Sequence, residues 1–328
     1  MSEFRTAMRR LDVATITGSF RPRFHHPNKE ILYELAYSLD PNASGEVTYS
    51  RWLQRDLPHE LQSNSRLPEI IGERGYFDYE KCLENTLMDW HLNFANGDVF
   101  SAWATSLFAQ DEMQVAEHPV LAAIRAASTR EGFSMYCVHD DKPMPILFAG
   151  VERRLRIDTT PKKGLPSGLY GNALRRATPE QVQTATTVIS PPTKSNILAI
   201  EAPACGEGFY VASQIHDILV TAYSGYAAAK DFSCEMPGIE NIRMNTGFWG
   251  CGAYGGNRVL MTILQIYAAD MAGVKELRFF VGDEIGKTAF DEGLHTYQSL
   301  RDGASKIPEK FIQIVEEMKF SWGESDGN

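Results

Sequence analysis

Apolar residues recur along this chain at two spacings, one typical of helices and one typical of strands. After Arg258 the apolar positions follow a helical repeat that ends at Gly273, a residue suited to a helix C-cap; they are Leu260, Ile263, Leu264, Tyr267 and Met271. Just before this repeat, Ile242 and Met244 lie on one face of a short strand over residues 241–244. The pattern therefore predicts a strand, a loop and a helix in succession.

The same pattern of alternating strands and helices extends over roughly residues 86–285. It predicts strands at 91–96, 133–138, 144–151, 196–202 and 241–244, and helices at 79–90, 108–113, 120–130, 208–230 and 258–272. Pro119 suits the first position of the helix at 120–130. Strands that alternate with helices predict an α/β fold, here a three-layer mixed sheet with helices on both faces.

The first 85 residues differ in character from the rest. A helical repeat covers residues 28–39, and five prolines interrupt the remainder. We expect a mainly helical accessory region over residues 1–85 and a second domain over residues 86–328. Residues 159–193 are rich in Pro, Gly, Thr and Lys, which predicts a flexible insertion. The polar residues 323–328 predict a tail that frays.

Composition and charge exclude several classes of protein. A net charge of −10 argues against a general binder of nucleic acid or anionic membranes. No segment approaches the ~20 apolar residues of a membrane-spanning helix, and the N-terminus lacks an apolar run of signal length. Five cysteines without CxxC spacing predict reduced thiols in an intracellular, cytoplasmic or nuclear, setting and no zinc site. His25 and His26 have no carboxylate or cysteine at ligand spacing, so no metal is expected.

The loop between the predicted strand and helix at 241–272 is the strongest candidate for ligand binding. It holds five glycines in twelve residues, TGFWGCGAYGGN at 246–257. Glycines let backbone N–H groups approach phosphate oxygens, and a helix N-terminus adds a favourable field. The alternative is a tight turn that needs positive φ angles. The residues alone leave both interpretations open.

Two motifs carry a resemblance to a known family. TGFWGCGAYGGN resembles the TGNWGCGAFGGD diphosphate loop of poly(ADP-ribose) glycohydrolases, which are macrodomain enzymes, and FFVGD at 279–283 is similar to the family's FTFGD strand. LNFAN at 92–96 resembles VDFAN, QDE at 110–112 stands where the family has QEE, and His118 precedes Pro119 where the family has Asn-Pro. The resemblance implies that the backbone of Gly250, Gly252, Ala253, Tyr254, Gly255 and Gly256 cradles a diphosphate.

The resemblance also implies roles for polar residues near the QDE motif. Glu112 would act as general acid and base at the anomeric carbon, with Asp111 fixing ribose hydroxyls or water. Asp98 is an extra carboxylate of this sequence just past Asn96, outside the family's motif, and is a further candidate for that role. Asn96 would hold the distal ribose and Gln110 would contact adenine. Adjacent carboxyls repel each other, so one can stay protonated and donate to a glycosidic leaving group. The alternatives are that Asp111 and Glu112 are first-turn helix charges and that Asp98 is a turn residue.

Two departures from the family bear on the substrate. The family's three consecutive glycines are replaced by Phe100, Ser101 and Ala102, followed by Trp103, which predicts a bulkier wall at the distal ribose. Val151 stands where the family has a tyrosine that stacks on adenine, and Phe148 is the nearest aromatic residue. We expect Phe148 either to stack on adenine or to lie in the core.

These features predict an ADP-ribosyl hydrolase of the glycosidase type, without a cofactor. An acidic pocket favours a cationic leaving group, so mono-ADP-ribosyl-arginine is expected to be a better substrate than the polymer. The alternatives are a poly(ADP-ribose) glycohydrolase proper and a non-catalytic reader of ADP-ribose. The expected partners are ADP-ribose and ADP-ribosylated protein, with no direct nucleic-acid contact, no membrane and a monomeric state.

Overall fold

The strands and helices below come from a computed structural model, which describes residues 2–41, 43–61, 67–163, 165, 168–203, 205–301 and 306–327. The strands are β1 (Arg5–Asp12), β2 (Glu46–Trp52), β3 (Glu69–Glu73), β4 (Leu87–Ala95), β5 (Val138–His139), β6 (Lys142–Pro143), β7 (Ile146–Ile157), β8 (Thr186–Glu201), β9 (Asn241–Gly247) and β10 (Glu276–Phe280). The helices are α1 (Val13–Ser19), α2 (Pro27–Ala36), α3 (Gln110–Glu117), α4 (Val120–Glu131), α5 (Pro179–Ala185), α6 (Ala212–Cys234), α7 (Arg258–Ala272), α8 (Glu284–Arg301) and α9 (Pro308–Glu317), and a 3₁₀ helix spans Gly171–Arg176. Among these residues no helix is both long and apolar enough to cross a bilayer.

Eight of these strands form one mixed sheet, in the order β1-β2-β7-β8-β4-β9-β10-β3. Strands β8, β4, β9, β10 and β3 run parallel to one another, while β7, β2 and β1 pair antiparallel. Because parallel strands end at the same edge, the loops that follow β4, β8, β9 and β10 meet there. The predicted three-layer α/β mixed sheet is confirmed.

The two faces of the sheet bury separate apolar clusters, and the alternation of side chains along a strand explains why. On β8, Leu198 and Ile200 pack into the cluster that includes residues of α6 and α7. Ile197 and Ala199, one residue out of phase, pack into the cluster on the opposite face that includes residues of α1 and α4. A strand covered on both faces reads as a continuous apolar run, which is the pattern of NILAIEA at 196–202.

The prediction of a mainly helical accessory region over residues 1–85 was wrong. Helix α2 is present, but β1 and β2 form one edge of the main sheet and β3 pairs with β10 at the other edge. The predicted boundary at residue 85 therefore separates strands of the same sheet. Edge strand β1 is mostly exposed and rich in arginine, because an edge strand buries little and so carries little apolar signal.

Two further predictions fail where tertiary pairing overrides local pattern. Residues 79–90 are not helical; Leu87 begins β4, which pairs with both β8 and β9. The predicted flexible insertion at 159–193 is largely regular where it is described. It contains the 3₁₀ helix, α5 and the first half of β8, which pairs with the far end of β7. Thr178 and Gln181 form a capping box at α5, so this segment carries its own start signal.

Candidate active site

A cavity of about 1800 Å³ extends along β4 and includes the residues that follow the carboxyl ends of β4, β9 and β10. It brings together most of the predicted site residues: Asn96, Gln110, Asp111, Glu112, Gly250, Gly252, Ala253 and Tyr254 line its wall. Among the described residues, the predicted site residues Asp98, Phe148, Gly255 and Gly256 do not line it. The sequence motifs around residues 92–112 and 246–257 thus meet in space, as predicted.

The glycine-rich loop joins β9 to α7 and is shaped by two left-handed glycines. Gly250 has φ 77° and Gly255 has φ 63°, angles that residues with a Cβ rarely adopt. The loop closes on itself because Gly256 N donates to Gly250 O at 2.9 Å. Gly255 and Gly256 therefore shape the loop behind the cavity, and the prediction that they line the ligand site was wrong.

The stretch of the loop that faces the cavity presents backbone donors. In the part of the chain that the structure describes, the N–H groups of Gly252, Ala253 and Tyr254 donate no hydrogen bond. Directly after the loop, the Asn257 side chain caps α7 by accepting from Leu260 N at 3.0 Å. Free N–H groups beside a helix N-terminus favour an anionic ligand.

The two adjacent carboxyls lie at the start of α3 and are both buried. Glu112 is 3 % exposed, and its Oε2 accepts from Ala109 N at 3.0 Å, so this side chain also caps the helix. Asp111 is 8 % exposed, and its Oδ1 accepts from Asn93 Nδ2 at 3.0 Å. Glu112 is therefore both a first-turn helix charge and a residue of the cavity wall, so the helix-capping interpretation does not exclude the catalytic one.

Burial shifts the proton affinity of both carboxyls upward. Burial, together with the neighbouring charge of Glu112, raises the pKa of Asp111 from its ordinary value of 3.8 to about 8, against the opposing hydrogen bond from Asn93. Burial likewise raises the pKa of Glu112, and the Lys29 ammonium opposes this shift. Near neutral pH such a pair retains a proton, which is the state that acid catalysis of glycoside cleavage needs.

Lys29, on α2, lies behind the acidic pair and was not identified from the sequence. It is 1 % exposed, and its Nζ donates to Trp103 O at 2.5 Å. Burial lowers the pKa of this ammonium to about 8, while the charges of Glu112 and Asp111 oppose that shift. The sequence did contain one indication of this burial: Lys29 lies at helical spacing from Leu32 and Ala36, on the buried face of α2.

A network of side-chain amide hydrogen bonds positions the Asp111 carboxyl. The Asn93 amide also donates to Gln114 Oε1 at 2.9 Å, and Gln114 Nε2 donates to the Tyr79 hydroxyl at 3.2 Å. Beyond it, the Arg153 guanidinium lies 4.3 Å from the centre of the Tyr79 ring. Because Asn93 and Gln114 are fully buried, their bonds fix the orientation of the Asp111 carboxyl.

Asn96 connects the two motifs across the cavity. It follows β4 directly, and its Nδ2 donates to the Tyr254 hydroxyl at 3.2 Å. Both side chains line the cavity, with Asn96 exposed. The contact of Asn96 with the distal ribose stays a prediction.

Asp98 and Gln110 both bond to other residues of the protein. Asp98 pairs with the Arg125 guanidinium through both carboxylate oxygens, one of them 2.7 Å from Arg125 Nη2, and lies outside the cavity wall. Gln110 uses both ends of its amide on β4, accepting from Phe94 N at 2.8 Å and donating to Leu92 O at 3.0 Å. Asp98 is thus an ion-pair residue. Gln110 fastens α3 to β4 and also lines the cavity, and its contact with adenine stays a prediction.

The aromatic residues expected at the site lie in the core. Phe148 is fully buried and its ring centre is 5.4 Å from that of Phe100, which is also fully buried. Phe100 has φ 61°, and this left-handed turn directs its side chain inward, while Ser101 and Ala102 line the cavity. The prediction that Phe100 and Trp103 form a bulky wall at the ribose was therefore wrong. Of the two alternatives for Phe148, the structure shows the one in which it lies in the core.

Other residues line the cavity without having been predicted from the sequence. Tyr76 and Tyr170 both line it, with nearly parallel rings whose centres are 6.5 Å apart. Asp326 reaches the cavity from the C-terminal tail. Residues 323–327 of this tail, which the sequence predicted to fray, lie against the glycine-rich loop, and residue 328 lies outside the described residues. None of the three carried a local signal, because each comes from an irregular segment that long-range contacts place here.

Comparison with known proteins agrees with the sequence resemblance over the C-terminal part of the chain. Residues 169–287 match the family model described as "Poly (ADP-ribose) glycohydrolase (PARG), Macro domain fold". The predicted resemblance to glycohydrolase-like macrodomains is confirmed there. The match contains the glycine-rich loop, whereas Asp111 and Glu112 lie outside it, so their assignment depends on the geometry. A search of curated protein sequences found no match.

Several solved structures are similar to this chain at low sequence identity. Poly(ADP-ribose) glycohydrolase from Thermomonospora curvata, bound to the inhibitor ADP-HPD, is 16% identical, with 85% of this chain and 86% of that chain covered and a TM-score of 0.45. The Deinococcus radiodurans enzyme in complex with ADP-ribose is 15% identical, with 87% and 97% covered and a TM-score of 0.45. A Trypanosoma brucei macrodomain in complex with ADP-ribose is 12% identical, with 82% and 87% covered and a TM-score of 0.36.

Proposed function

We propose that this protein is an ADP-ribosyl hydrolase that cleaves the glycosidic bond at the distal ribose of ADP-ribosylated protein. The observation that carries the proposal is that the buried residues Asp111 and Glu112 line one cavity together with Gly252, Ala253 and Tyr254, whose N–H groups donate no hydrogen bond among the described residues. The Asn96 to Tyr254 hydrogen bond spans the gap between them. The family match over residues 169–287 supports the same chemistry.

The glycine-rich loop would hold the diphosphate. Gly252, Ala253 and Tyr254 present backbone N–H groups to the cavity, and the N-terminus of α7 lies directly behind them. Such donors bind phosphate oxygens without a balancing cation on each oxygen. A protein with a net charge of −10 needs local donors of this kind, because its overall field repels an anion.

The acidic pair would carry out the bond cleavage. The pair's shared proton passes from Glu112 to the leaving group as the bond to the anomeric carbon breaks. The same carboxylate then takes a proton from water, whose oxygen bonds to the anomeric carbon, so that one water is consumed and ADP-ribose is released. Asp111, held by Asn93, orients a ribose hydroxyl or this water.

The preferred linkage is a finer part of the proposal. We infer a preference for mono-ADP-ribosyl-arginine over serine, glutamate and polymer linkages from the two buried carboxyls, because a guanidinium pairs well with carboxylates. Asp98 is not part of this acidic pocket, since it pairs with Arg125. The test compares release of ADP-ribose from arginine-modified, serine-modified and polymer substrates at equal concentration. Faster release from polymer would replace this preference with that of a poly(ADP-ribose) glycohydrolase.

A non-catalytic reader of ADP-ribose is the second candidate function. The observation that favours it is the helix-capping bond of Glu112, which gives that carboxylate a structural use. Calorimetry with ADP-ribose followed by a turnover assay separates the candidates. Heat of binding together with release of ADP-ribose supports the hydrolase, and binding without release from any linkage supports the reader. No binding contradicts both.

The intracellular, reducing setting and the monomeric state are part of the same proposal. Cys82, Cys137, Cys205, Cys234 and Cys251 are free cysteines. Free thiols in every cysteine position are typical of reducing compartments. Mass measurement of the protein in solution tests the monomer.

A further inference from the structure

The C-terminal strap, residues 320–327, lies against the glycine-rich loop. It begins beside residues 208–210, where Tyr210 N donates to Phe320 O and Trp322 N donates to Gly208 O, each at 2.9 Å. It then reaches the loop, where Gly323 N donates to Gly255 O at 2.7 Å. The strap is therefore bonded to both segments through backbone groups.

Side chains anchor the strap at both ends. The Trp322 ring stacks on Tyr210 with centres 4.1 Å apart and planes at 19°. The Trp322 ring also packs directly on Gly206, where a Cβ would lie 2.3 Å from the indole and so leave no room for a side chain. At the other end, Asn172 Nδ2 donates to Gly327 O at 2.8 Å, which ties the strap to the 3₁₀ helix. The strap thus spans from the start of α6 to the 3₁₀ helix.

The strap brings a carboxylate to the face of the loop that would hold the diphosphate. A Cβ built at Gly252 would lie 3.2 Å from Asp326 Oδ2, and Asp326 lines the cavity. Burial raises the pKa of Tyr170, another residue of the cavity wall, and the negative charge of Asp326 raises it further. The Asp326 carboxylate therefore lies beside Gly252, and both residues line the same cavity.

We propose that the C-terminal strap competes with the diphosphate of ADP-ribose for the glycine-rich loop and that Asp326 determines how strongly ADP-ribose binds. This inference rests on the proposed function. A diphosphate and a carboxylate repel each other at such separations, and the low dielectric of a cavity strengthens the repulsion. Binding then requires the strap to move away, and the apparent affinity falls in proportion to the fraction of molecules with the strap displaced.

Calorimetry with ADP-ribose tests the proposal on four full-length proteins: the wild type, Asp326→Asn, Trp322→Ala and Glu324→Gln. Asp326→Asn removes the charge at nearly the same size, and we expect its Kd to fall about tenfold, within the usual range of coupling between sites. Trp322→Ala removes the stacking anchor and is expected to lower Kd as well. Glu324→Gln is the matched control, a neighbouring exposed carboxylate that is absent from the described cavity wall, and its Kd should stay unchanged.

Hydrogen exchange of the strap gives a second measurement that does not depend on the variants. Exchange of residues 320–327 should rise when ADP-ribose is added to the wild type. The proposal is overturned if Asp326→Asn binds ADP-ribose no better than the wild type, or if ADP-ribose protects the strap, which would make it part of the ligand site. Absence of binding by all four proteins contradicts the proposed function as well, whereas binding with equal Kd contradicts the strap alone.

Discussion

Asn93 donates an amide hydrogen to Asp111, with Asn93 Nδ2 3.0 Å from Asp111 Oδ1. Asn93 lies on β4 and Asp111 in the first turn of α3, so this bond joins an interior strand of the parallel region to the acidic pair. The bond favours the ionised carboxylate, while burial and the charge of Glu112 favour the protonated form and outweigh it. The protonation of Asp111 is thus decided by its surroundings in the folded state.

The stability of the protein should depend on pH through Asp111. Its pKa is raised from 3.8 to about 8 on folding. Between these values the native state holds a proton that the unfolded state lacks, so this contribution is full below pH 3.8 and is lost as pH rises toward 8. Asp111→Asn should flatten the decline in the free energy of unfolding across this window, by up to about 1.4 kcal/mol per pH unit.

Urea unfolding at several pH values checks this expectation. His91 and His118 are buried with lowered pKa values, so they give an opposite slope in the acid range, and the informative quantity is the difference between variant and wild type. Glu309→Gln, on an exposed position of α9, serves as control. Parallel curves for Asp111→Asn and wild type would contradict a raised pKa at Asp111.

Glu112→Gln should separate catalysis from folding. A glutamine oxygen can still accept from Ala109 N, so the helix cap survives, while the titrating group is lost. We expect turnover of ADP-ribosylated protein to fall at least ~10²-fold, the usual size of a general acid and base contribution, with ADP-ribose binding retained. The measurements are release of ADP-ribose and Kd by calorimetry. An unchanged rate would assign the proton transfer to Asp111.

Asp98→Asn should affect stability and leave catalysis intact. The change breaks the paired hydrogen bonds to Arg125, which joins α4 to the loop after β4. We expect a lower Tm, with turnover per folded molecule within about twofold of the wild type, because Asp98 is outside the described cavity wall. A loss of turnover comparable to that of Glu112→Gln, at unchanged Tm, would restore the catalytic role.

Gly252→Val should weaken ADP-ribose binding without disturbing the loop backbone. Gly252 lines the cavity and does not require a left-handed φ, so a side chain there enters the space for the diphosphate, where its Cβ also meets Asp326 Oδ2 at 3.2 Å. We expect a loss of about 2 kcal/mol or more in binding, the scale of lost charge-assisted hydrogen bonds. Gly255→Val is different, since its φ is 63° and its Cβ would lie 2.8 Å from Gly323 O, so it should also lower Tm. Full affinity in Gly252→Val would mean that the loop is only a turn.

Phe148→Leu should cost stability and leave the affinity for ADP-ribose unchanged. Phe148 is fully buried against Phe100 and Tyr49, so the smaller side chain leaves unfilled volume in the core. We expect a loss of about 1 to 2 kcal/mol in the free energy of unfolding. Thermal unfolding and calorimetry check the two parts separately. Weaker binding at unchanged stability would show that Phe148 reaches the adenine after all.

The sequence by itself determined the features that depend on neighbouring residues. The strand, glycine-rich loop and helix at β9 and α7 were predicted with the Gly273 C-cap, because φ preference and apolar spacing act within a few residues. The meeting of Asp111 and Glu112 with the loop was also predicted, since both motifs resemble a family in which they share one site. Local chemistry and a long motif suffice for these features.

Only the tertiary structure decided which partner each polar or aromatic side chain meets. The sequence was compatible with Asp98 as a turn residue and as a catalytic group. Its ion pair with Arg125, 27 residues further along the chain, is visible only in the folded structure. The inward direction of Phe100, the burial of Lys29 and the position of Asp326 over Gly252 likewise depend on segments far apart in sequence. Edge strand β1 and the C-terminal strap bury few apolar side chains, so periodicity could not indicate them, and backbone pairing with distant segments placed both.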